Sequence, residues 1–463
     1  MRRHTQWAAI LWLYAAALHA VNTAVPEPYM DEVFHIPQAA RYCAGNFAWD
    51  PKITTPPGLY LLTLLVFRAL ATVFSVACDD AASIRATNVA LLPALFAVGL
   101  AYYRTIHGPS ADVRAAFATL LFPPLFFTAF VYYTDLGSTL LVLAMLLARA
   151  NAHDAVAAAC GILSLLFRQN NIVWILFSCG ASALRILQDA DVAGASVSQG
   201  AAAAAAPGRP VSHASPRVPH LAQLLTQRRV LVSMARVVLS YAPAFVLFAG
   251  FLVWNDGQVA LGDQSNHQLA LHLPQLGYFF AATAAFAWPT LWSGACALAR
   301  RRRSRTHVAL LCAAWLALVA AGMAAVHWCT IVHPFLLSDN RHYTFYVWRR
   351  IINARPWTRY ALVPVYVTMA MGSVGLLAAQ ENALWVAGFL VSCALVLVPA
   401  PLVEPRYFIV PYVVMRLHWP ETSPTATRMD VAWNGLVNAV ALCLFCYYPF
   451  TWAHEEGTQH FVW

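Results

Sequence analysis

The chain has 463 residues, of which 60% are hydrophobic, 13% aromatic and 11% charged, and its formal net charge is +9. Soluble domains carry about 25% charged residues, so this composition excludes a water-soluble globule and predicts a chain solvated by lipid. The positive charge is clustered at the ends of apolar runs, at Arg2 and Arg3, Arg228 and Arg229, and Arg300 to Arg303. That is the pattern of cytoplasmic loops, and nucleic acid is not an expected partner.

In chain order, MRRHTQWAAILWLYAAALHAV joins a basic start to an apolar run without a small-residue cleavage site. It reads as a retained first helix that sends the following loop across the membrane. Residues 22–84 form that first outer loop, with surface helices. Residues 58–76 are apolar enough to span, but CDD follows them, and Arg104 and Arg114 at the ends of the next segment belong in the cytosol. Residues 58–76 are therefore expected to lie on, or dip into, the outer surface.

Further helices are expected near 85–103, 114–133, 137–150, 155–168 and 171–187. Several are shorter than the roughly 20 residues a lipid-facing helix needs, so they should be buried, tilted or broken around a cavity. Residues 188–220 are rich in Ala, Ser, Pro and Gly and predict a disordered cytosolic linker. Beyond them come spans near 231–254, 275–297, 306–331, 360–379, 384–400, 406–417 and 430–452. Arg349, Arg350, Arg355 and Arg359 follow an outer loop, which a short helix or a loop at the membrane surface would accommodate. The prediction is one all-α polytopic domain over residues 1–463, with about 12–14 transmembrane helices and the catalytic loop after the first. Most of the ten cysteines read as small core residues; Cys43 and Cys78 fall on the outer, oxidising side, where a disulfide is permitted but no spacing selects it.

On this parity the polar clusters share the outer face. Asp31 and Glu32 stand in the first loop with His35, Gln38, Arg41, Trp49, Asp50 and Lys52, the single lysine of the chain. Two adjacent acids either cap and solvate the helix that follows or supply a general base at the membrane boundary. The run SDNRHYTFYVWRR sets Asp339, Asn340, Arg341, His342 and Tyr343 together, either as interfacial anchors or as a phosphate site. Glu404 and Arg406 read as an ion pair at a helix end, and Asp135 and Arg168 are weaker candidates. No Walker loop, HExxH, pair of CxxC motifs or GxGxxG is present, so neither a soluble nucleotide nor a structural metal is indicated. A lipid-linked group transferase and a transporter or scaffold remain.

The blocks PYMDEVFHIPQAARYC (28–43), WDPKITTPPGLYLL (49–62), YYTDLGS (132–138), FRQNNIVW (167–174), GDQSNHQLALHLPQL (262–276), HPFLLSDNRHYTFYVWRR (333–350) and EPRYFIVPY (404–412) span nearly the whole chain. In content and order they resemble the eukaryotic family of dolichyl-phosphate-glucose-dependent alpha-1,2-glucosyltransferases of the endoplasmic reticulum. The alanine-rich stretch 195–207 matches no motif of that family. The resemblance implies a GT-C type glycosyltransferase with its site on the luminal face. Its donor would be dolichyl phosphate glucose, its acceptor a lipid-linked oligosaccharide, and its surroundings membrane lipid. It implies no metal and no cofactor, Asp31 as the catalytic base, and substrate contacts from Glu32, His35, Lys52, Asp135, Arg168, Asp339, Asn340, Arg341, His342, Tyr343, Glu404 and Arg406.

Overall fold

The computed structural model describes residues 2–73, 77–198, 223–263, 269–300, 304–453 and 455–463. Helix α1 (Arg2–Ala24) leads to α2 (Glu32–Cys43), α3 (Gly58–Ala71) and the long α4 (Ala81–His107). The chain continues through α5 (Arg114–Leu120), α6 (Pro123–Phe127), α7 (Asp135–Ala150), α8 (Asp154–Leu165) and α9 (Ile172–Ser198). Then come α10 (Arg228–Trp254), α11 (Pro274–Ala299), α12 (Arg305–Cys329), α13 (Pro334–Ser338), α14 (Tyr343–Val347) and α15 (Thr358–Ala361). Helices α16 (Val363–Gln380), α17 (Ala383–Leu397), α18 (Ile409–Leu417) and α19 (Pro424–Tyr447) precede an antiparallel hairpin of β1 (Phe450–Trp452) and β2 (Glu455–Gln459).

Among the described residues six helices are long and apolar enough to cross a membrane, and three shorter apolar helices accompany them. The chain is an all-α polytopic membrane protein. Burial separates the spans into two kinds. None of the most apolar window of α12 is buried in the protein, which leaves Leu310, Leu316 and Leu318 to lipid, whereas over half of the corresponding window of α9 is buried.

Several segments depart from the sequence expectation. The stretch 114–133 is broken at Leu121 and Phe122, where Pro123 has no N–H to continue the ladder and opens α6 instead. Residues 188–198 are helical and complete α9, because no proline interrupts that alanine-containing run. The rest of the expected linker, 199–220, lies outside the described residues, as do 264–268 of the block 262–276 and Arg301. The arginines after residue 348 sit among short helices, where Arg349 and Arg350 lie over the rings of Phe345 and Tyr346 at 5.8 and 5.5 Å.

The first loop is fastened at several points. A disulfide joins Cys43, at the end of α2, to Cys78, ahead of α4, so α3 leaves and returns to the same end of the bundle. At its start the Gly58 N–H donates to the Leu166 carbonyl at 2.7 Å, and a Cβ there would lie 2.4 Å from that oxygen, so only glycine allows the approach. The loop after α10 covers it from above: Leu261 N–H donates to Thr54 O at 3.2 Å and Asp263 N–H to Pro51 O at 2.8 Å. Gly262, between them, has φ of +58°, the left-handed region that favours glycine.

Candidate active site

The first-loop acids part company within one turn. Met30 has φ of 56°, an uncommon conformation for a residue with a Cβ, and the chain enters α2 directly after it. Asp31 occupies the N-cap position but its side chain caps nothing. Its carboxylate is 44% exposed and looks into a cavity of about 1220 Å³, where Arg406 Nη2 donates to its Oδ2 at 3.1 Å. Glu32 turns the other way. Its side chain is fully buried against Arg85, with Nη2 at 2.5 Å and Nε at 2.9 Å, and it also accepts from the backbone N–H of Tyr132 at 2.6 Å and of Tyr29 at 3.1 Å. Arg85 spends its other N–H groups on the carbonyls of Val25 and Glu27 and on Asn22 Oδ1. Glu32 was expected to touch substrate; instead it anchors the loop to α4 and does not reach the cavity.

Arg406 is the hub of the opposite wall. It pairs with Glu404 as well as Asp31, and its guanidinium lies 4.4 Å over the Tyr133 ring. Desolvation by itself raises the pKa of the Asp31 carboxyl, but the Arg406 guanidinium, by its charge and its hydrogen bond, outweighs it and holds the group below its ordinary value. His35, one turn along α2, is buried with its Nδ1 2.6 Å from the Tyr60 hydroxyl. Burial pushes its pKa down to about 4, assisted by Arg406 and Arg168 and opposed by Asp31, so its imidazole is neutral at physiological pH. The positive charge at this site therefore comes from the arginines and Lys52.

The second cluster lines the same cavity. Arg341 forms a fork with Asp339, both bonds 2.9 Å, donates to Gln459 Oε1 at 3.2 Å, and lies 4.6 Å over the Trp452 ring. His342 Nε2 stands 3.8 Å from Asp339 Oδ2. Arg168 reaches the cavity with Asp135 behind it, paired at 2.8 Å; Asp135 is nearly fully buried and does not line the cavity. Lys52 forms no ion pair among the described residues, and its ammonium stands 5.6 Å over the Phe34 ring at the cavity edge. Besides Glu32 and Asp135, two further expected substrate contacts are absent from the lining. Asn340 turns its carbonyl oxygen to Trp452 Nε1 at 2.7 Å, and the Tyr343 ring packs 4.8 Å from Trp463.

The structure thus gathers Asp31, His35, Lys52, Arg168, Asp339, Arg341, His342, Glu404 and Arg406 around one cavity and sets Glu32, Asp135, Asn340 and Tyr343 behind it as supports. Sequence reasoning missed Arg85, whose signal was a lone arginine inside an apolar span, since such a residue needs a partner. It also missed Tyr133 and Tyr60, and the segment 450–463, which adds Trp452, Gln459, Val462 and Trp463 to the cavity wall. Chemically, an ionised carboxylate faces a large space flanked by cations, a setting in which a hydroxyl proton can be accepted on one side and anionic charge stabilised on another.

The chain is similar to known proteins over nearly its whole length. A family model described as the DIE2/ALG10 family matches residues 25–417, which include every residue of the site proper except the 450–463 wall. A protein of Arabidopsis thaliana named Dol-P-Glc:Glc(2)Man(9)GlcNAc(2)-PP-Dol alpha-1,2-glucosyltransferase is 33% identical, over 98% of this chain and 98% of its own length. Proteins of the same name from Homo sapiens and Drosophila melanogaster are 32% and 33% identical, over 96% and 97% of this chain and 95% and 97% of their own. No solved structure matches. Similarity that runs the length of both chains, through the loops that build the cavity, shows that this chain belongs to the DIE2/ALG10 family.

Proposed function

We propose that the chain is a dolichyl-phosphate-glucose alpha-1,2-glucosyltransferase that adds glucose to the terminal glucose of a lipid-linked oligosaccharide at the luminal face of the endoplasmic reticulum membrane. The full-length relatives carry that activity in their names. The observation that carries the reading to this chain is the division of the first-loop acids: Asp31 is presented to the cavity while Glu32 is consumed by Arg85. The Cys43–Cys78 disulfide beside the site supports an oxidising compartment on that face.

The chemistry is a single displacement. The acceptor 2-hydroxyl oxygen attacks the anomeric carbon of the donor glucose, the bond to the phosphate oxygen breaks, and the β-linked donor gives an α-linked product. Asp31 accepts the hydroxyl proton, and Arg406 keeps the carboxylate ionised and ready for it. Lys52, Arg341 and His342, on the cavity wall, are suited to receive the phosphate charge as it develops. Glu32 has its oxygens occupied and cannot share an ion with Asp31, so turnover is expected to survive chelation by EDTA. The test is to incubate purified protein with dolichyl phosphate glucose and a lipid-linked acceptor ending in glucose. A product one hexose heavier, with a new alpha-1,2 linkage, supports the reading; no transfer, or another linkage, rejects it.

A further inference from the structure

We infer that the segment 450–463 is a working part of the active site, and that Tyr29 is a positioning residue through which it holds the Asp31 turn. The inference rests on Asp31 being the base. Asp31 stands between two anchored neighbours. Glu32 is tied to Arg85 on one side, and on the other Tyr29 is buried with its hydroxyl bridging the backbone of His460: it donates to the His460 carbonyl at 2.8 Å and accepts from the His460 N–H at 2.7 Å. The Tyr29 ring packs in a cluster with Phe445 and His460, at 6.0 and 5.4 Å, and His460 Nδ1 meets the Phe445 carbonyl at 2.6 Å. Met30, between the anchors, has the left-handed φ that aims Asp31 out of the loop and into the cavity. A non-glycine residue keeps such a conformation only where its surroundings enforce it, and here the enforcement comes from both flanks.

The same segment reaches the second cluster. Val462 N–H donates to the Arg341 carbonyl at 2.9 Å and the Val462 carbonyl accepts from Tyr343 N–H at 3.0 Å. Gln459 accepts from Arg341, and the Trp463 carbonyl lies 3.3 Å from His342 Nδ1. Residues 459–463 therefore tie the Asp31 turn to the Asp339, Arg341 and His342 cluster, two walls that come from loops more than 300 residues apart in sequence. The direction of a base matters to the rate far more than to affinity, since a displacement of about 1 Å can lower turnover about 10²-fold.

Tyr29→Phe removes the bridging hydroxyl and leaves the ring in its cluster. The expected result is a fall in kcat of about 10- to 10²-fold with KM for donor and acceptor changed less than about threefold. The acid limb of kcat should also move upward, toward the ordinary carboxylate value, as the pairing with Arg406 loosens. His460→Pro removes the amide donor from the other side and serves if Tyr29→Phe does not fold. The two changes break one bridge, so the double variant should be no slower than the slower single one. The inference is overturned if either folded variant turns over at the wild-type rate, if the losses multiply, or if thermal stability falls while kcat per folded molecule and its pH profile stay unchanged. Wild-type protein that fails to transfer glucose at all would instead reject the proposed function.

Discussion

Asp31 and Glu32 are indistinguishable in sequence, since either could cap a helix or accept a proton, and only the turn at Met30 separates them. The expectation that Asp31 is the base leads to a definite contrast. Asp31→Asn should lower kcat by about 10²- to 10⁴-fold with donor binding and thermal stability nearly unchanged. Glu32→Gln leaves Arg85 as a buried charge without its counterion, which destabilises by about 3–5 kcal/mol. It should therefore appear as a lowered melting temperature and poor yield. Equal kinetic losses in two equally stable variants would show that the acids act together. His35 gives a pH signature. Its folded pKa, pushed down to about 4 from 6.5, means that the unfolded chain binds a proton the folded chain refuses between those values. Stability is then fully present above about pH 6.5 and falls by roughly 3 kcal/mol as pH drops toward 4. Melting temperature measured against pH should show that decline in the wild type and a shallower one in His35→Gln; parallel curves would contradict it. Candidate residues such as Asn340 and Tyr343 were legible as part of a polar cluster, but the side each faces depends on contacts with 450–463, which local sequence does not encode.

Most helices were legible because a run of apolar residues long enough for a bilayer admits few alternatives. What local reading could not supply were breaks and continuations set by tertiary contacts, such as the interruption at Phe122 and the extension of α9 to Ser198. The segment 450–463 carries no periodicity, and the residues that follow its hairpin are held by Tyr29 at His460 and by the pairing of Val462 with His342. The disulfide likewise needed the fold, since nothing in the spacing chose Cys43 and Cys78. Because it closes the part of the loop that carries Lys52, Ile53 and Thr54 to the cavity, Cys43→Ser should lower stability by about 2–4 kcal/mol. The loop around residues 44–57 should then be cleaved faster in limited proteolysis. Cleavage at the wild-type rate would mean that the helices alone hold the loop.

At the scale of the molecule, the positive-inside pattern assigned Asp31, Asp135, Asp339 and Glu404 to one face, and the structure brings all four to one end of the bundle, three on the cavity and Asp135 directly behind it. Helices α4 and α7 start at that end, with Arg85 and Asp135, and carry Arg104 and Arg149 in their last turns. Single cysteines placed at Asn46 and Arg301 in sealed microsomes should therefore react with an impermeant reagent from opposite sides, and labelling from the same side would contradict the orientation. The proposed function requires that this one cavity transfers glucose with Asp31 as its base. Wild-type and Asp31→Asn proteins, purified in parallel and given saturating dolichyl phosphate glucose with a glucose-terminated lipid-linked acceptor, test it most directly. The expected result is a product of one added hexose in alpha-1,2 linkage from the wild type, and a turnover lower by at least about 10²-fold from the variant. An Asp31→Asn protein that forms the same product at the wild-type rate would contradict it.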